Sequence, residues 1–190
     1  MNEYILESKK LIPSTICKKI ISYFDNPNDL ESARVGNGGD AGREDKKIRN
    51  CQTAFLLDKP NKTFGETIML NYLLDRLNEA GKAYSEKFPH FNLQEITQLD
   101  LLKYEANTYD AGYKFHVDAS GKLSKRVLSM SICLNDKFEG GEFVFDLPNG
   151  EVSYQQNVGD LIMFPSNFMF PHQVNKINNG IRYALIAWAI

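Results

Sequence analysis

Long hydrophobic runs are missing from this sequence. Its apolar stretches are short and interrupted, so no transmembrane helix is expected. The first residues, MNEYILESKK, lack the apolar core of a signal peptide. Positive charge is not in excess: 22 Lys and Arg stand against 24 Asp and Glu, for a net charge of −2. That balance speaks against a nucleic-acid module built on bulk positive charge. Cysteine is sparse. Cys17, Cys51 and Cys133 are far apart and form no CxxC, which excludes a disulfide framework and a zinc ribbon. Free thiols and a reducing, cytoplasmic setting are expected. Histidine is equally sparse, with only His90, His116 and His172.

What is present is an ordinary globular composition over 190 residues, suited to one domain, 1–190. Residues 1–97 read as a mixed, helical support that carries a mobile loop. Pro13-Ser14 opens a helix to about Phe24, with Ile16, Ile20 and Ile21 on one face. Asp25–Asp29 is a turn cluster. The glycine-rich, charged stretch Gly36–Lys47 reads as a mobile loop and a candidate lid. A second helix spans about Phe64 to Phe88, with Ile68, Leu70, Leu73, Leu74 and Leu77 as its apolar stripe.

From residue 98 the pattern changes to short apolar or alternating runs split by Gly, Asn, Asp and Pro. They lie near 99–107, 113–118, 126–135, 142–146, 151–156, 160–165, 170–177 and 181–189. Successive strands with no long helix between them predict a mainly β fold, an antiparallel sandwich or jelly roll whose N-terminal helices pack on one sheet. Side chains alternate across a strand. Val127, Ser129, Ser131 and Cys133 therefore share a small face suited to a cavity, opposite Leu128, Met130, Ile132 and Leu134. Arg182, Ala184, Ile186 and Trp188 share another face.

His116 and Asp118 are two residues apart in KFHVDAS. In extended chain both leave one face and can share an ion. His172, in FPHQV, supplies a third ligand. Two histidines and a carboxylate form the facial triad of non-haem Fe(II) oxygenases. His90 sits between helix and barrel and receives no role. Arg182 stands ten residues after His172, across NKINNG. A three-residue hairpin loop, 178–180, pairs 177 with 181 and puts His172 and Arg182 on one face, about 13 Å apart at strand rise. An arginine suits that place because its planar fork grips a carboxylate with two bonds.

At these residues the chain resembles the Fe(II)/2-oxoglutarate-dependent dioxygenases, and within them the prolyl 4-hydroxylase branch. The likeness rests on HVD at 116–118, PH at 171–172 and RYALIAW at 182–188. Tyr104, the LND of 134–136 followed by FEGGEFVF, and GDLIMFPS at 159–166 agree with it. It covers roughly 98–190 and is weaker before that.

The resemblance implies a double-stranded β-helix, with His116, Asp118 and His172 as iron ligands. It implies Arg182 as the anchor of the distal carboxylate of 2-oxoglutarate, with Tyr104, Val174 and Ala184 in the cosubstrate pocket. Cys133 is placed in the cosubstrate pocket too, where some relatives carry a tyrosine; its thiol is a weak donor, so Ser131, Ser129 or an ordered water is expected to take over the tyrosine hydroxyl's work. Tyr113, Arg126 and Trp188 are the implied substrate contacts. The implied cofactors are Fe(II), 2-oxoglutarate and O2, with ascorbate as an accessory reductant. A prolyl residue of a protein or peptide is the expected substrate, and a free amino acid or small metabolite the alternative. No nucleic acid or membrane partner is expected. A non-catalytic jelly-roll binding module and a zinc or manganese hydrolase are the competing classes. The presence of all three ligands and of Arg182 speaks against the first, and Arg182 gives no reason for the second.

Overall fold

The computed structural model describes residues 1–36 and 42–190. In chain order its elements are β1 (Leu6–Ser8), α1 (Ser14–Phe24), β2 (Glu31–Ser32), β3 (Arg49–Asn50), β4 (Gln52–Phe55), α2 (Phe64–Lys87), β5 (Ile96–Glu105), β6 (Gly112–His116), β7 (Leu128–Cys133), β8 (Phe138–Gly140), β9 (Phe143–Leu147), β10 (Gly150–Tyr154), β11 (Leu161–Pro165), β12 (His172–Val174) and β13 (Ile177–Ala189).

The strands form two antiparallel sheets. The larger runs β1-β11-β7-β13-β5-β4-β2, with β8 joined to the outer end of β13; the smaller runs β10-β9-β12-β6-β3. All eight strand segments expected after residue 98 are present. They alternate between the sheets as a double-stranded β-helix does, with β5, β7, β11 and β13 facing β6, β9, β10 and β12. The architecture is mainly β with two helices.

Both helices lie where the sequence puts them. α2 starts at a capping box: Thr63 Oγ1 accepts from Glu66 N–H, and Glu66 Oε2 accepts from Thr63 N–H at 2.7 Å. Those bonds satisfy donors the first helical turn leaves open. The buried face of α2 is Met69, Leu70, Leu73, Leu77, Ala80 and Tyr84. Ile68, assigned to that stripe from the sequence, is exposed. The turn spacing that stacks Leu70, Leu73, Leu77 and Tyr84 carries it to the outer side.

Helix side chains and the outward face of the larger sheet make one core, in which Leu128, Met130, Ile132 and Leu134 meet Cys17, Ile20, Leu73 and Leu77. The second core lies between the sheets, with Leu102, Tyr104, Ile186 and Trp188 against Phe143, Phe145 and Val174. The expected division of β7 into a greasy face under the helices and a small face toward a cavity is therefore observed.

One expectation fails. Residues 172–177 and 181–186 do not form a hairpin with a loop at 178–180. β12 belongs to the smaller sheet and β13 to the larger, so they do not pair. Asn178-Asn179-Gly180 is part of β13 and pairs with β8 through a register shift. Gly180, at φ +77°, allows this: a Cβ there would collide with the Lys137 carbonyl. An Asn-Gly pair has the same left-handed preference in a bulged strand as in a tight turn. The turn signal was real but its setting was wrong.

Candidate active site

His116 ends β6 and His172 begins β12. The two are direct cross-strand partners, and their ring centroids are 4.2 Å apart. Asp118 follows β6 by two residues and turns back under both rings. His116 Nε2 is 3.5 Å from Asp118 Oδ1, and His172 Nε2 is 3.6 Å from Asp118 Oδ2. One ligand atom from each side chain lies within 4.8 Å of the others.

Backbone carbonyls set the direction of both rings. His116 Nδ1 is 2.9 Å from the Lys114 carbonyl, and His172 Nδ1 is 3.1 Å from the Phe170 carbonyl. An Nδ1–H donated to a carbonyl fixes the tautomer that leaves Nε2 free as a ligand. His172 is also walled by aromatic rings, with Phe143 stacked at 5.1 Å and Phe164 edge-on at 4.6 Å. Burial and the neighbouring His116 push the His172 imidazole down to about 4, against a smaller upward pull from Asp118. It is therefore neutral near pH 7, as a metal ligand must be.

Burial alone would raise the Asp118 carboxyl. The two imidazoles and the Ser129 hydroxyl outweigh it and hold the group well below the usual carboxylate range. Ser129 Oγ donates to Asp118 Oδ2 at 2.6 Å and pairs with Ser166 Oγ at 2.8 Å. The loop is pinned as well: Arg126 Nη1 donates to the Asp118 carbonyl at 3.3 Å, and Ala119 N–H donates to the Ser166 carbonyl at 2.8 Å. An anionic carboxylate, two imidazoles whose Nδ1 atoms are turned to backbone carbonyls, and a hydrogen-bonded outer layer suit a divalent transition metal.

Behind the triad lies a cavity between the sheets. Arg182, Tyr104, Ser131, Val174, Ala184 and Trp188 line it together with His116, Asp118 and His172. Arg182 pairs with Tyr104 across β13 and β5, and its guanidinium lies 5.6 Å from the Tyr104 ring centroid. Only 2% of Arg182 is exposed. Among the described residues it forms no ion pair; its side-chain partner is Gln156 Oε1, at 3.3 Å from Nη2. A buried guanidinium without a carboxylate is costly unless an anion joins it. The cavity thus offers a metal-type donor set at one end and an anion anchor within it.

Cys133 lies opposite Ala184 on β7, but its thiol donates to the Asn135 carbonyl at 3.2 Å. Ser131 lines the cavity, as expected of a replacement hydroxyl, whereas Ser129 is spent on Asp118. Tyr113 stacks on His116 with ring centroids 3.4 Å apart. The Arg126 guanidinium covers Trp188 at 3.8 Å. All three border a larger cleft of about 590 Å3 above the triad.

Of the lid expected at Gly36–Lys47, residues 37–41 lie outside the described residues. The flanking Gly36 and Gly42 border this cleft. Sequence reasoning missed Gln156, Arg49 and Asp100. Gln156 and Arg49 sit at or beyond strand ends, where no pattern marks them. Asp100 had a signal, an acid inside the apolar run Leu99–Leu102.

The sequence model of the 2OG-Fe(II) oxygenase superfamily matches residues 100–190. A PKHD-type hydroxylase of Idiomarina loihiensis is 32% identical over 119 residues, covering 61% of this chain and 50% of the relative. One from Prochlorococcus marinus is 29% identical over 133 residues, covering 62% and 58%. The chain thus spans little more than half the length of these curated relatives. Among solved structures, a Pseudomonas putida prolyl-4-hydroxylase superposes with a TM-score of 0.75 at 18% identity, covering 98% of this chain and 91% of that one. A Trichoplax adhaerens prolyl hydroxylase, in complex with a hypoxia inducible factor peptide fragment, gives 0.81 at 16% identity, covering 98% and 83%. These superpositions establish the shared fold.

Proposed function

We propose, from the match of residues 100–190 to the 2OG-Fe(II) oxygenase superfamily, that the chain is an Fe(II)- and 2-oxoglutarate-dependent hydroxylase acting on a prolyl residue of a protein or peptide. The observation that carries the reading is one cavity holding both the His116–Asp118–His172 cluster and a buried arginine that has no acidic partner among the described residues. A zinc or manganese hydrolase would have no use for that arginine. The prolyl preference rests on likeness to hydroxylases whose described targets include a peptide.

His116, Asp118 and His172 would hold Fe(II), and Arg182 would take the distal carboxylate of 2-oxoglutarate. Together with 2-oxoglutarate and O2, the iron supplies oxidative decarboxylation to succinate and CO2 and delivers one oxygen atom to a substrate C–H bond. Arg182 binds through a charge-assisted fork, held in place by Gln156. Tyr104, Val174 and Ala184 shape the pocket and keep bulk water out. Ser129 keeps the Asp118 carboxylate facing both imidazoles. Tyr113, Arg126 and Trp188 stand at the mouth, where substrate must arrive. Among the described residues no helix is long and apolar enough to cross a membrane. We assign the protein to a reducing compartment, which fits three buried free cysteines.

The test is a panel of prolyl peptides and free amino acids incubated with Fe(II), 2-oxoglutarate and air. Succinate release matched by an oxygen atom gained on a prolyl peptide is expected. Succinate formation that no member of the panel stimulates would sink the hydroxylase reading.

A further inference from the structure

The cleft above the triad contains polar groups that the proposed chemistry does not use. Its floor is β5, where strand alternation sends Leu99 and Leu101 to the helix-side core. Asp100 points the other way, registered between Phe55 of β4 and Ile186 of β13. It lines the cleft and is 2% exposed. Gln98 Nε2 donates to Asp100 Oδ2 at 2.7 Å. Asp100 Oδ1 has no hydrogen-bond partner among the described residues. Thr53 Oγ1, Trp188 Nε1 and Arg49 Nε, on residues of the same cleft, are also buried and without partners there. Folded proteins leave few buried polar atoms unsatisfied. Four on the walls of one cleft mark a place where a ligand completes the bonding.

The cations nearby are committed elsewhere. Arg126 donates to Gln98 Oε1 at 2.5 Å and to the Asp118 carbonyl at 3.3 Å, and it covers Trp188. Arg49 donates to the Arg34 carbonyl at 3.2 Å and lies over Tyr113. Among the described residues neither forms an ion pair with Asp100. Burial accordingly pushes the Asp100 carboxyl up to about 7, a rise that the Gln98 hydrogen bond and the charges of Arg49 and Arg126 only partly oppose. A carboxylate sunk in a polar cleft without a counter-ion is completed by a cation brought from outside.

We infer that Asp100 is a specificity-determining residue whose free carboxylate oxygen receives a cationic nitrogen of the substrate. Trp188 Nε1–H and the Thr53 hydroxyl, on the same walls, supply donors for a carbonyl or carboxylate of that molecule. The word substrate rests on the hydroxylase reading; the binding itself needs no iron. Two sources carry the required chemistry: the α-ammonium of a free amino acid, and a basic side chain beside the target residue in a peptide. A neutral analogue would leave the buried carboxylate unpaired, and sites of this kind reject such analogues strongly.

Trp188 is the only tryptophan of the chain and lines the cleft, so its fluorescence reports binding without metal. One arm titrates the metal-free protein with L-proline and N-acetyl-L-proline. The other uses acetyl-Arg-Pro-Gly-amide and its citrulline counterpart. The expected result is a Kd at least tenfold lower for the cationic member of one pair, which identifies the source. That preference should vanish in Asp100→Asn and persist in Asp100→Glu. Equal binding within both pairs, no binding in either arm, or a preference that survives Asp100→Asn overturns the inference. A charge-transfer band on adding Fe(II) and 2-oxoglutarate to the same wild-type sample tests the hydroxylase reading separately. Its absence beside an intact preference would remove the reaction and leave the cation site.

Discussion

Ser129→Ala isolates the part of the site that holds the carboxylate in place. Ser129 sits on the cavity face of β7 and touches neither histidine. Its hydroxyl donates at 2.6 Å to Asp118 Oδ2, the oxygen that faces His172 Nε2 at 3.6 Å. The substitution removes one oxygen, opens little space, and leaves the backbone register of β7 with β11 and β13 untouched. What is lost is one hydrogen bond to a buried charge, about 1.5–3 kcal/mol, together with the 2.8 Å link to Ser166. At about 1.4 kcal/mol per factor of ten, divalent-metal affinity should fall roughly 10- to 100-fold. Anaerobic calorimetric titration with Fe(II), or with Mn(II) as an air-stable probe, reads this directly. Ser131→Ala is the control, because its hydroxyl lies two positions along the same face and makes no bond to Asp118. It should leave metal affinity unchanged. Equal affinity for wild type and Ser129→Ala, or an equal loss in both variants, would refute the assigned role of Ser129.

Three further outcomes follow from the packing and the charges. Leu73→Ala empties a fully buried position between α2 and the larger sheet; it should cost about 2–5 kcal/mol and lower the melting temperature by on the order of 10 °C, while metal affinity stays unchanged. Gly180→Ala imposes a left-handed non-glycine residue and a collision with the Lys137 carbonyl, so urea unfolding should show a loss of about 1–3 kcal/mol or more. The third concerns pH. Asp100 is raised to about 7 in the fold, chiefly by burial, whereas an unfolded aspartate titrates near 4. Between those values the folded chain holds the extra proton. Its contribution to stability is therefore present at low pH and is lost as pH rises through about 7. Asp100→Asn should flatten the fall in melting temperature between about pH 4 and pH 7 in metal-free protein, and an unchanged slope would contradict the buried, unpaired carboxylate.

The β core was legible because its signals are local. Alternation of small and greasy residues reports which face meets helices and which meets a cavity: Leu128, Met130, Ile132 and Leu134 join the helix-side core and Ser131 lines the cavity, whereas Val127, expected on the small face, packs on the helix side. HVD was legible as two donors close in sequence, although Asp118 lies beyond the end of β6 and reaches His116 by a bend in the chain rather than by the shared face of an extended strand. The relation of His172 to Arg182 was not. It depends on the chain crossing from the smaller sheet to the larger between Val174 and Ile177, and Asn-Gly reads alike as a hairpin turn and as a bulge. The two side chains still reach one cavity, because facing sheets bring together residues that no hairpin joins. Gln156 was invisible for a related reason: it contacts Arg182 from a connection 26 residues away, and nothing in its neighbours marks it. Asp100 was visible as an acid in an apolar strand, but only the register shows that it faces the cleft rather than the helices.

Anaerobic addition of Fe(II) and then 2-oxoglutarate, followed by visible absorption, tests the joint role of the triad and Arg182 most directly. A metal-to-ligand charge-transfer band should appear in the wild-type protein. It should be absent in Asp118→Ala, and in Arg182→Ala it should require a much higher 2-oxoglutarate concentration. A wild-type protein that binds the metal and shows no band, or an Arg182→Ala variant with unchanged 2-oxoglutarate dependence, would contradict the assignment.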